Sequence, residues 1–266
     1  MIRTYWWGNR RARGNFGDVL GPTLIEHLSG RPVQFAEIPQ ADIVSIGSIL
    51  EHVWCVGGTW ADYRGFVWGT ARMEADGPLH FRYAKVLALR GRWTRQHTTF
   101  SPQPEPVLGD PGLLCHLLAP SKIVKKYQIG IIPHFSQLGA PIIQQLAALS
   151  SEIKIVDMTE PVLDVIATVA SCQHVLSSAL HGLILADSLG VPNLWLRFDL
   201  DTDARAGIPA EKYLDYYSVF GILEKTPIRL SPNETLESML ERFGPFDRPG
   251  LEQIQSDLLR SFPYRR

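Results

Sequence analysis

A histidine stands near the start of an apolar segment, SSALHGLILADSLGVP, at residues 177–192. The pattern predicts the end of a strand followed by a helix, with Ser177 and Ser178 at the cap and His181 in the first helical turn. Free N–H groups and the helix dipole attract phosphate or carboxylate to such an N-terminus, and a protonated imidazole would add a charge and a transferable proton. The alternative interpretation is a half-buried histidine that hydrogen-bonds to a backbone carbonyl.

Other side chains near predicted strand ends suit an anionic ligand. Arg90 in LALRGRWTR and His134 in IIPHF each follow a strand-like run, and a guanidinium there can hold a carboxylate or phosphate through two hydrogen bonds. Asn15, Gly17 and Asp18 belong to a loop, RARGNFGDVLGP, which can bind phosphate or simply cap the following helix. Its glycine spacing matches neither a Walker loop nor a GxGxxG fingerprint, which counts against an ordinary NTPase or dehydrogenase.

Four further residues have types that suit a sugar. Asp110 in GDPGLL can orient a hydroxyl group or set an Asp-Pro turn. Trp68, Tyr216 and Tyr217 can stack on sugar faces, although aromatic residues also serve core packing. The sequence leaves both interpretations open.

Composition excludes several classes of function. The 266 residues carry a net charge of -1, without the clustered basic excess that nucleic-acid binding requires. Cys55, Cys115 and Cys172 lie far apart and outside any metal-binding spacing, so we expect reduced thiols, no zinc and no other cofactor. The N-terminus lacks the pattern of a signal peptide, and no apolar run reaches the roughly 20 residues of a membrane-spanning helix. These features predict a cytoplasmic protein.

The order of predicted elements indicates an α/β fold. From YQIGIIPHF to NLWLRF, short apolar strands alternate with helical patterns in a βαβαβ order, which is typical of a doubly wound parallel sheet. In the first half, ADIVSIGSIL, FVWGT and KVLALRG predict buried strands, and DVLGPTLIEHLSG predicts a helix that ends at Gly30. A second α/β domain is therefore expected there.

Proline-rich segments suggest the domain boundaries. SPQPEPVLGDPG and LLAPSKIVKK favour extended chain and place a hinge near residue 120. We expect an N-terminal α/β domain over 1–120, a Rossmann-like domain over 121–233, and a helical segment over 234–266. One face of the last helix carries apolar residues, so this segment should cover a domain edge or cross back to the first domain.

A set of short motifs between residue 14 and about residue 217 resembles one protein family. The motifs are NFGD, GSIL, VWGT, LRG, GDPGLL, IPHF, SSALHGLILADSLGVP and DYY. Together they resemble the polysaccharide pyruvyl transferases, especially the short bacterial enzymes that add ketal pyruvate to exopolysaccharide units such as those of xanthan and succinoglycan. The resemblance implies two Rossmann-like domains facing a cleft, as in glycosyltransferase-B folds. It also implies phosphoenolpyruvate as donor and a sugar with two nearby hydroxyls, often lipid-linked, as acceptor.

The resemblance also suggests roles for single residues. Leu180 and His181 match the family's LHG step, which is associated with donor binding, and Arg90 is the candidate for its arginine. His181 is then the candidate general acid that protonates the donor's methylene carbon, or in a simpler role a phosphate ligand. His134, Ser177, Ser178, Asn15, Gly17 and Asp18 complete the expected donor site, and Trp68, Asp110, Tyr216 and Tyr217 the expected acceptor site. The chain departs from the family pattern at Arg92, where relatives commonly have proline.

Two other classes of function remain open on the sequence. One is a nucleotide-sugar-dependent glycosyltransferase or epimerase of similar fold, and the other is a non-catalytic sugar-binding scaffold. For a lipid-linked acceptor, Trp6 and Trp7 with Arg10, Arg11 and Arg13 could contact an anionic membrane surface at the inner face.

Overall fold

The computed structural model describes residues 1–7, 15–51, 60–73, 78–198, 210–231 and 233–265. The chain divides into two compact units, each assembled from several stretches. The first unit comprises Met1–Leu114, Pro209–Lys225 and Pro249–Arg266, and the second comprises Cys115–Ile208 and Thr226–Arg248. The chain thus first passes from one unit to the other after Leu114, whereas the boundary was predicted near residue 120. Pro249–Arg266, at the end of the predicted helical segment, is part of the first unit.

The strands are short and the helices few-turned, as in other α/β proteins. The strands are β1 Ile2–Tyr5, β2 Val33–Phe35, β3 Ile43–Ser45, β4 Phe66–Trp68, β5 Leu79–Phe81, β6 Lys85–Leu89, β7 Thr98–Phe100, β8 Val107–Leu108, β9 Tyr127–Ile132, β10 Ile153–Ile155, β11 Cys172–Ser177, β12 Asn193–Arg197 and β13 Ile228–Arg229. The α-helices are α1 Phe16–Ser29, α2 Arg92–Gln96, α3 Pro141–Ala148, α4 Val162–Ala170, α5 Leu180–Ser188, α6 Glu211–Tyr217, α7 Leu236–Leu240 and α8 Leu251–Ser261.

The first unit is built on a parallel sheet. Among its described residues, six strands pair in the order β2-β1-β3-β4-β6-β8, and β5 and β7 form a separate parallel pair. Val44 lies opposite Val67, which in turn lies opposite Val86, so β-branched side chains of neighbouring strands form one buried layer. Trp60 and Phe81 pack edge to face in this core. Helices α1, α2, α6 and α8 belong to this unit.

The second unit repeats the architecture. In the part of the chain described there, five strands pair in parallel in the order β10-β9-β11-β12-β13. Ile131 and Leu176 are adjacent in register and fully buried, and Ile143 of α3 packs in the same core. Because parallel strands all run the same way, the polar residues that follow β9 and β11 emerge at one edge.

The predicted fold class is confirmed: the protein is α/β, with two parallel sheets flanked by helices, consistent with two Rossmann-like domains. The strands and helices predicted from residue 127 to 197 are all present, and α1 ends at Gly30 as expected. Strands β1, β2, β5, β7, β8 and β13 were not predicted. These strands have four residues or fewer, too few for a clear periodicity.

No helix within the described ranges combines the length and apolar character needed to cross a membrane.

Candidate functional site

The carboxyl edge of the second unit's sheet carries a hydrogen-bond network between two loops. The hydroxyl of Ser178, just after β11, donates to Oε1 of Gln137 at 2.6 Å and accepts from the backbone N–H of His134 at 3.0 Å. The backbone N–H of Ser178 donates to the carbonyl of Ile132 at the end of β9. These bonds fix the turn after β9 to the start of α5.

His134 begins the short 3₁₀ helix Phe135–Gln137. Its Nδ1 lies 2.8 Å from the hydroxyl of Ser136 and accepts from the Ser136 backbone N–H, while its own backbone N–H approaches Oε1 of Gln137 at 3.3 Å. This is a capping box in which histidine replaces the usual serine or threonine. The imidazole stacks at 4.4 Å on the ring of Phe135, whose side chain is 42% exposed.

His181 is the second residue of α5 and is half-buried. The predicted serine cap is not formed, because Ala179 is the N-cap residue and no side chain caps the helix there. The hydroxyl of Ser177 instead accepts from the Ala179 backbone N–H at 3.1 Å and lies 2.8 Å from the Ala179 carbonyl. Leu180 is buried. The helix thus begins directly at the carboxyl edge, with the imidazole in its first turn.

Gly182 explains how α5 can start so close to the sheet. A Cβ added to Gly182 would collide with the hydroxyl of Ser177 and lie 2.9 Å from a methyl carbon of Ile132. Glycine is therefore required at this position by close packing against the ends of β9 and β11. The close approach that Gly182 allows is therefore to the protein's own strands.

Arg90 follows β6 in the first unit and is 1% exposed. Its Nε donates to Oδ2 of Asp215 at 3.1 Å, one Nη donates to the carbonyl of Arg72 at 2.8 Å, and the other reaches the hydroxyl of Ser48 at 3.3 Å. The carboxylate of Asp215 also accepts from the backbone N–H and the hydroxyl of Thr94. Arg90 is thus half of a buried, hydrogen-bonded ion pair, and its contact with a donor stays a prediction.

Two neighbours of Arg90 help to hold this ion pair. A Cβ on Gly91 would collide with the backbone carbonyl of Asp215, so the RG step lets α6 approach β6. Arg92, the position at which the sequence departs from the pattern of the family it resembles, donates its backbone N–H to the hydroxyl of Ser218 at 2.9 Å and its Nε–H to the Ser218 carbonyl at 3.0 Å. Proline at 92 would lack that N–H.

Asp110 follows β8 and is fully buried. Its Oδ1 accepts from the backbone N–H of Gly112 at 2.8 Å, and its Oδ2 has no hydrogen-bond partner among the described residues. Burial raises the pKa of this carboxyl to about 6, and the nearby Asp215 adds to the increase, whereas the Gly112 hydrogen bond and the charge of Arg90 oppose it.

Lys212 on α6 interacts electrostatically with both Arg90 and Asp18, and Asp18 lies on α1. Burial and the charge of Arg90 lower the pKa of its ammonium group, the charge of Asp18 opposes both effects, and the resulting pKa is about 8. Asp18 lies in the first turn of α1, Gly17 is buried, and Asn15 is the N-cap residue, although its side chain makes no capping bond. Gly14, also in this predicted loop, lies outside the described residues.

The aromatic candidates for sugar contacts are core residues of the first unit. Trp68, Tyr216 and Tyr217 are each completely buried. The indole Nε1 of Trp68 lies 3.1 Å from the hydroxyl of Ser261 on α8. These side chains, like that of Asp110, present no surface on which a sugar could stack without repacking. Their role as acceptor contacts stays a prediction, and the packing interpretation has the support of their burial.

The predicted site residues therefore fall into two groups. His134, Ser177, Ser178, Leu180 and His181 come together at the carboxyl edge of the second sheet. Arg90, Asp18 and Asp110 come together near the carboxyl edge of the first, around a cluster that includes Asp215 and Lys212. No set of three or more His, Cys, Asp or Glu side chains in the described ranges is arranged to hold a metal ion.

The sequence analysis missed three residues that build these groups. Gln137 could have been found, because the spacing His-x-x-Gln after a strand is that of a capping box. Asp215 and Lys212 gave no local signal, since the carboxylate that pairs with Arg90 lies 125 positions away in the chain.

Comparison with known proteins identifies part of the chain. The sequence model of the family described as "Polysaccharide pyruvyl transferase" matches residues 81–199. A protein of Acanthamoeba polyphaga mimivirus, described as "Uncharacterized protein L143", is 35% identical over 118 residues, which are 43% of this chain and 40% of the viral protein. No solved structure matches the chain significantly. Residues 81–199, which include Arg90, His134 and His181, are therefore a polysaccharide pyruvyl transferase family domain.

Proposed function

We propose that this protein transfers pyruvate from phosphoenolpyruvate to two hydroxyls of one sugar in an exopolysaccharide repeat unit. Protonation of the donor's methylene carbon makes C2 electrophilic, and one sugar hydroxyl then attacks C2. Inorganic phosphate leaves, the second hydroxyl attacks the same carbon, and a cyclic ketal is formed. The overall reaction consumes one donor and one diol and releases one phosphate, with no oxidant or reductant.

The observation that carries this proposal is the family match over residues 81–199, which spans both the step LRG after β6 and the step LHG at the start of α5. In open parallel sheets, ligands bind at the carboxyl ends of the strands. Arg90 and His181 each follow a strand of a parallel sheet at that end. The donor has a carboxylate and a phosphate, and a helix N-terminus and positively charged side chains suit both groups.

His181 is the proposed general acid. Its imidazole is half-buried in the first turn of α5, and histidine as a residue type exchanges protons near neutral pH. Positioned proton transfer of this kind typically contributes about 10²–10⁴-fold to a rate. His134, Ser177 and Ser178 are proposed to line the same donor site, held by the hydrogen bonds around Gln137.

Arg90 is proposed to contact the donor through the N–H groups that its buried partners do not engage. Three of its five N–H donors are engaged by Asp215, Arg72 and Ser48, and the side chain is almost fully buried. Asn15, Gly17 and Asp18 at the start of α1 are proposed as further donor contacts from the backbone. A lipid-linked acceptor is part of the proposal and would bring the protein to the inner face of a membrane, which co-sedimentation with anionic liposomes tests.

The deciding experiment combines the protein with phosphoenolpyruvate and a panel of diol-bearing oligosaccharides. Phosphate release that depends on the sugar, with added pyruvate detected by mass spectrometry, is the expected result. H181A and H181Q should each lower the rate at least about 100-fold while circular dichroism stays unchanged. H174A is the matched control, because His174 lies on β11 of the same unit but away from its carboxyl end.

Two results would contradict the proposal. If H181A and H181Q retain the rate of the unmutated protein, His181 is not the acid. If no sugar supports phosphate release and a sugar nucleotide instead raises the melting temperature through binding linkage, the protein is a nucleotide-sugar enzyme of similar fold.

A further inference from the structure

Lys212 is a half-buried cation that no sequence motif singles out. It lies on α6, and its ammonium nitrogen is 5.2 Å from the ring centroid of Tyr213. No hydrogen bond or ion pair joins this ammonium group to another described residue. Lysine is rarely withdrawn from water without a partner, because the desolvated charge is costly.

The position of Lys212 follows from the Arg90–Asp215 ion pair. Lys212 and Asp215 are three residues apart on α6, and residues at this spacing share a helix face. Because Asp215 is bonded to Arg90, the same face brings Lys212 close enough for the two cations to repel each other. The collision that a Cβ on Gly91 would cause shows how closely α6 is packed here. The ammonium group is thus held near the carboxyl edge of the first sheet.

The local charges leave room for an anion. Asp215 neutralises Arg90, and Asp18 on α1 attracts Lys212 without forming an ion pair with it. Burial and Arg90 together outweigh Asp18, which is why the pKa of Lys212 falls to about 8. A ligand that supplies two negative charges would compensate both the lost hydration and the repulsion from Arg90.

We propose that Lys212 binds a phosphate group of the substrate at the carboxyl edge of the first unit's sheet. The inference rests on the proposed function for its substrate class: the phosphate belongs either to phosphoenolpyruvate or to the diphosphate of a lipid-linked acceptor. Asp18 and Arg90 face this group from α1 and from the end of β6, and Asp215 holds the helix that carries it.

The test measures binding of inorganic phosphate by calorimetry to the unmutated protein and to K212Q, K212R and K85Q. We expect K212Q to weaken the affinity about tenfold or more, because a charge-assisted hydrogen bond is lost. K212R should stay within about threefold. K85Q is the matched control and should bind normally, since Lys85 is exposed at the opposite, amino end of β6. Circular dichroism confirms that each variant is folded.

A pH series separates binding by Lys212 from a merely structural role. Phosphate affinity of the unmutated protein should fall as pH rises from 7.5 to 9, because Lys212 loses its proton about pH 8. K212R should not show this fall, since arginine stays protonated throughout. Unchanged affinity in K212Q, absence of phosphate binding by the unmutated protein, or an equal fall in K212R would each overturn the inference.

Two further ligands identify the source of the phosphate. If K212Q weakens binding of phosphoenolpyruvate but not of geranyl diphosphate, the donor is bound, and the reverse result assigns the acceptor. Failure of the transferase proposal would be seen in a different measurement, the assay for ketal formation. A protein that binds phosphate through Lys212 but forms no ketal retains the inference and loses the function.

Discussion

Removing the charge of Asp110 should stabilise the protein at neutral pH. Its carboxyl is fully buried, Oδ2 has no hydrogen-bond partner among the described residues, and its pKa is raised to about 6. In the unfolded chain an aspartate titrates near 3.9, so the folded protein binds the proton more tightly. The contribution of Asp110 to stability is therefore largest below pH 4. It declines as the pH rises from 4 to 6, because the unfolded chain releases this proton more readily than the folded protein does.

The size of the effect follows from the two pKa values. A shift of about two pKa units corresponds to roughly 3 kcal/mol in full, and about 2 kcal/mol of this develops between pH 4 and pH 7, because the unfolded aspartate is already half ionised at pH 4. D110N keeps an oxygen that can accept from Gly112 and cannot ionise. We therefore expect the free energy of unfolding of D110N, relative to the unmutated protein, to increase by about 2 kcal/mol from pH 4 to pH 7.

Urea unfolding followed by circular dichroism at pH 4, 5, 6 and 7 measures this difference. D42N is the matched control, because the pKa of Asp42 is shifted in the opposite direction. The hydrogen bond from Arg3 lowers the pKa of Asp42, so this carboxylate stabilises the fold above pH 4 and the contribution is lost in acid. D42N should therefore lose stability at pH 7 and little at pH 4. A D110N difference that is the same at all four pH values would refute the reasoning.

Three further predictions concern packing and buried charge. D215A should lower the free energy of unfolding by about 3–5 kcal/mol, because it leaves a buried guanidinium unpaired. E105A removes an exposed ion pair and should cost far less. Equal losses in urea unfolding would contradict this. G182A should cost about 1–3 kcal/mol through the collision with β11, and G139A, whose added Cβ meets nothing within 4 Å, should be neutral. R92P should remain folded but melt at lower temperature than R92A, since only proline removes the backbone N–H donor; identical melting curves would be evidence against that bond.

The second unit was accessible from sequence because its signals are local. Each strand from β9 to β12 contains closely spaced apolar residues, and each intervening helix has apolar residues at helical spacing. The strand-to-helix turn at SSALHG therefore predicted the position of His181 at the sheet edge. The cap was predicted wrongly, because the serine hydroxyls bond to Gln137 and to the backbone around Ala179 instead.

The first unit was less accessible because its strands are short and its polar cluster is non-local. β8 has two residues, and the aromatic residues that suggested sugar stacking are core residues. No periodicity distinguishes a buried Trp68 from an exposed one. The sequence likewise could not show that Arg90 is neutralised, because the neutralising carboxylate of Asp215 lies 125 positions further along the chain, beyond β12.

This order of the chain has a consequence for the site. Arg90 and Arg92 lie inside the family match at 81–199, but the residues that interact with them, Lys212, Asp215 and Ser218, follow in residues 211–218. The charge at the carboxyl edge of the first sheet therefore depends on a segment outside the matched region. If that segment sets the anion affinity, exchanging residues 211–218 as a block should change phosphate binding while the fold of the matched region persists. Substitution of Arg90 should also lower stability, because its side chain is bonded to buried partners.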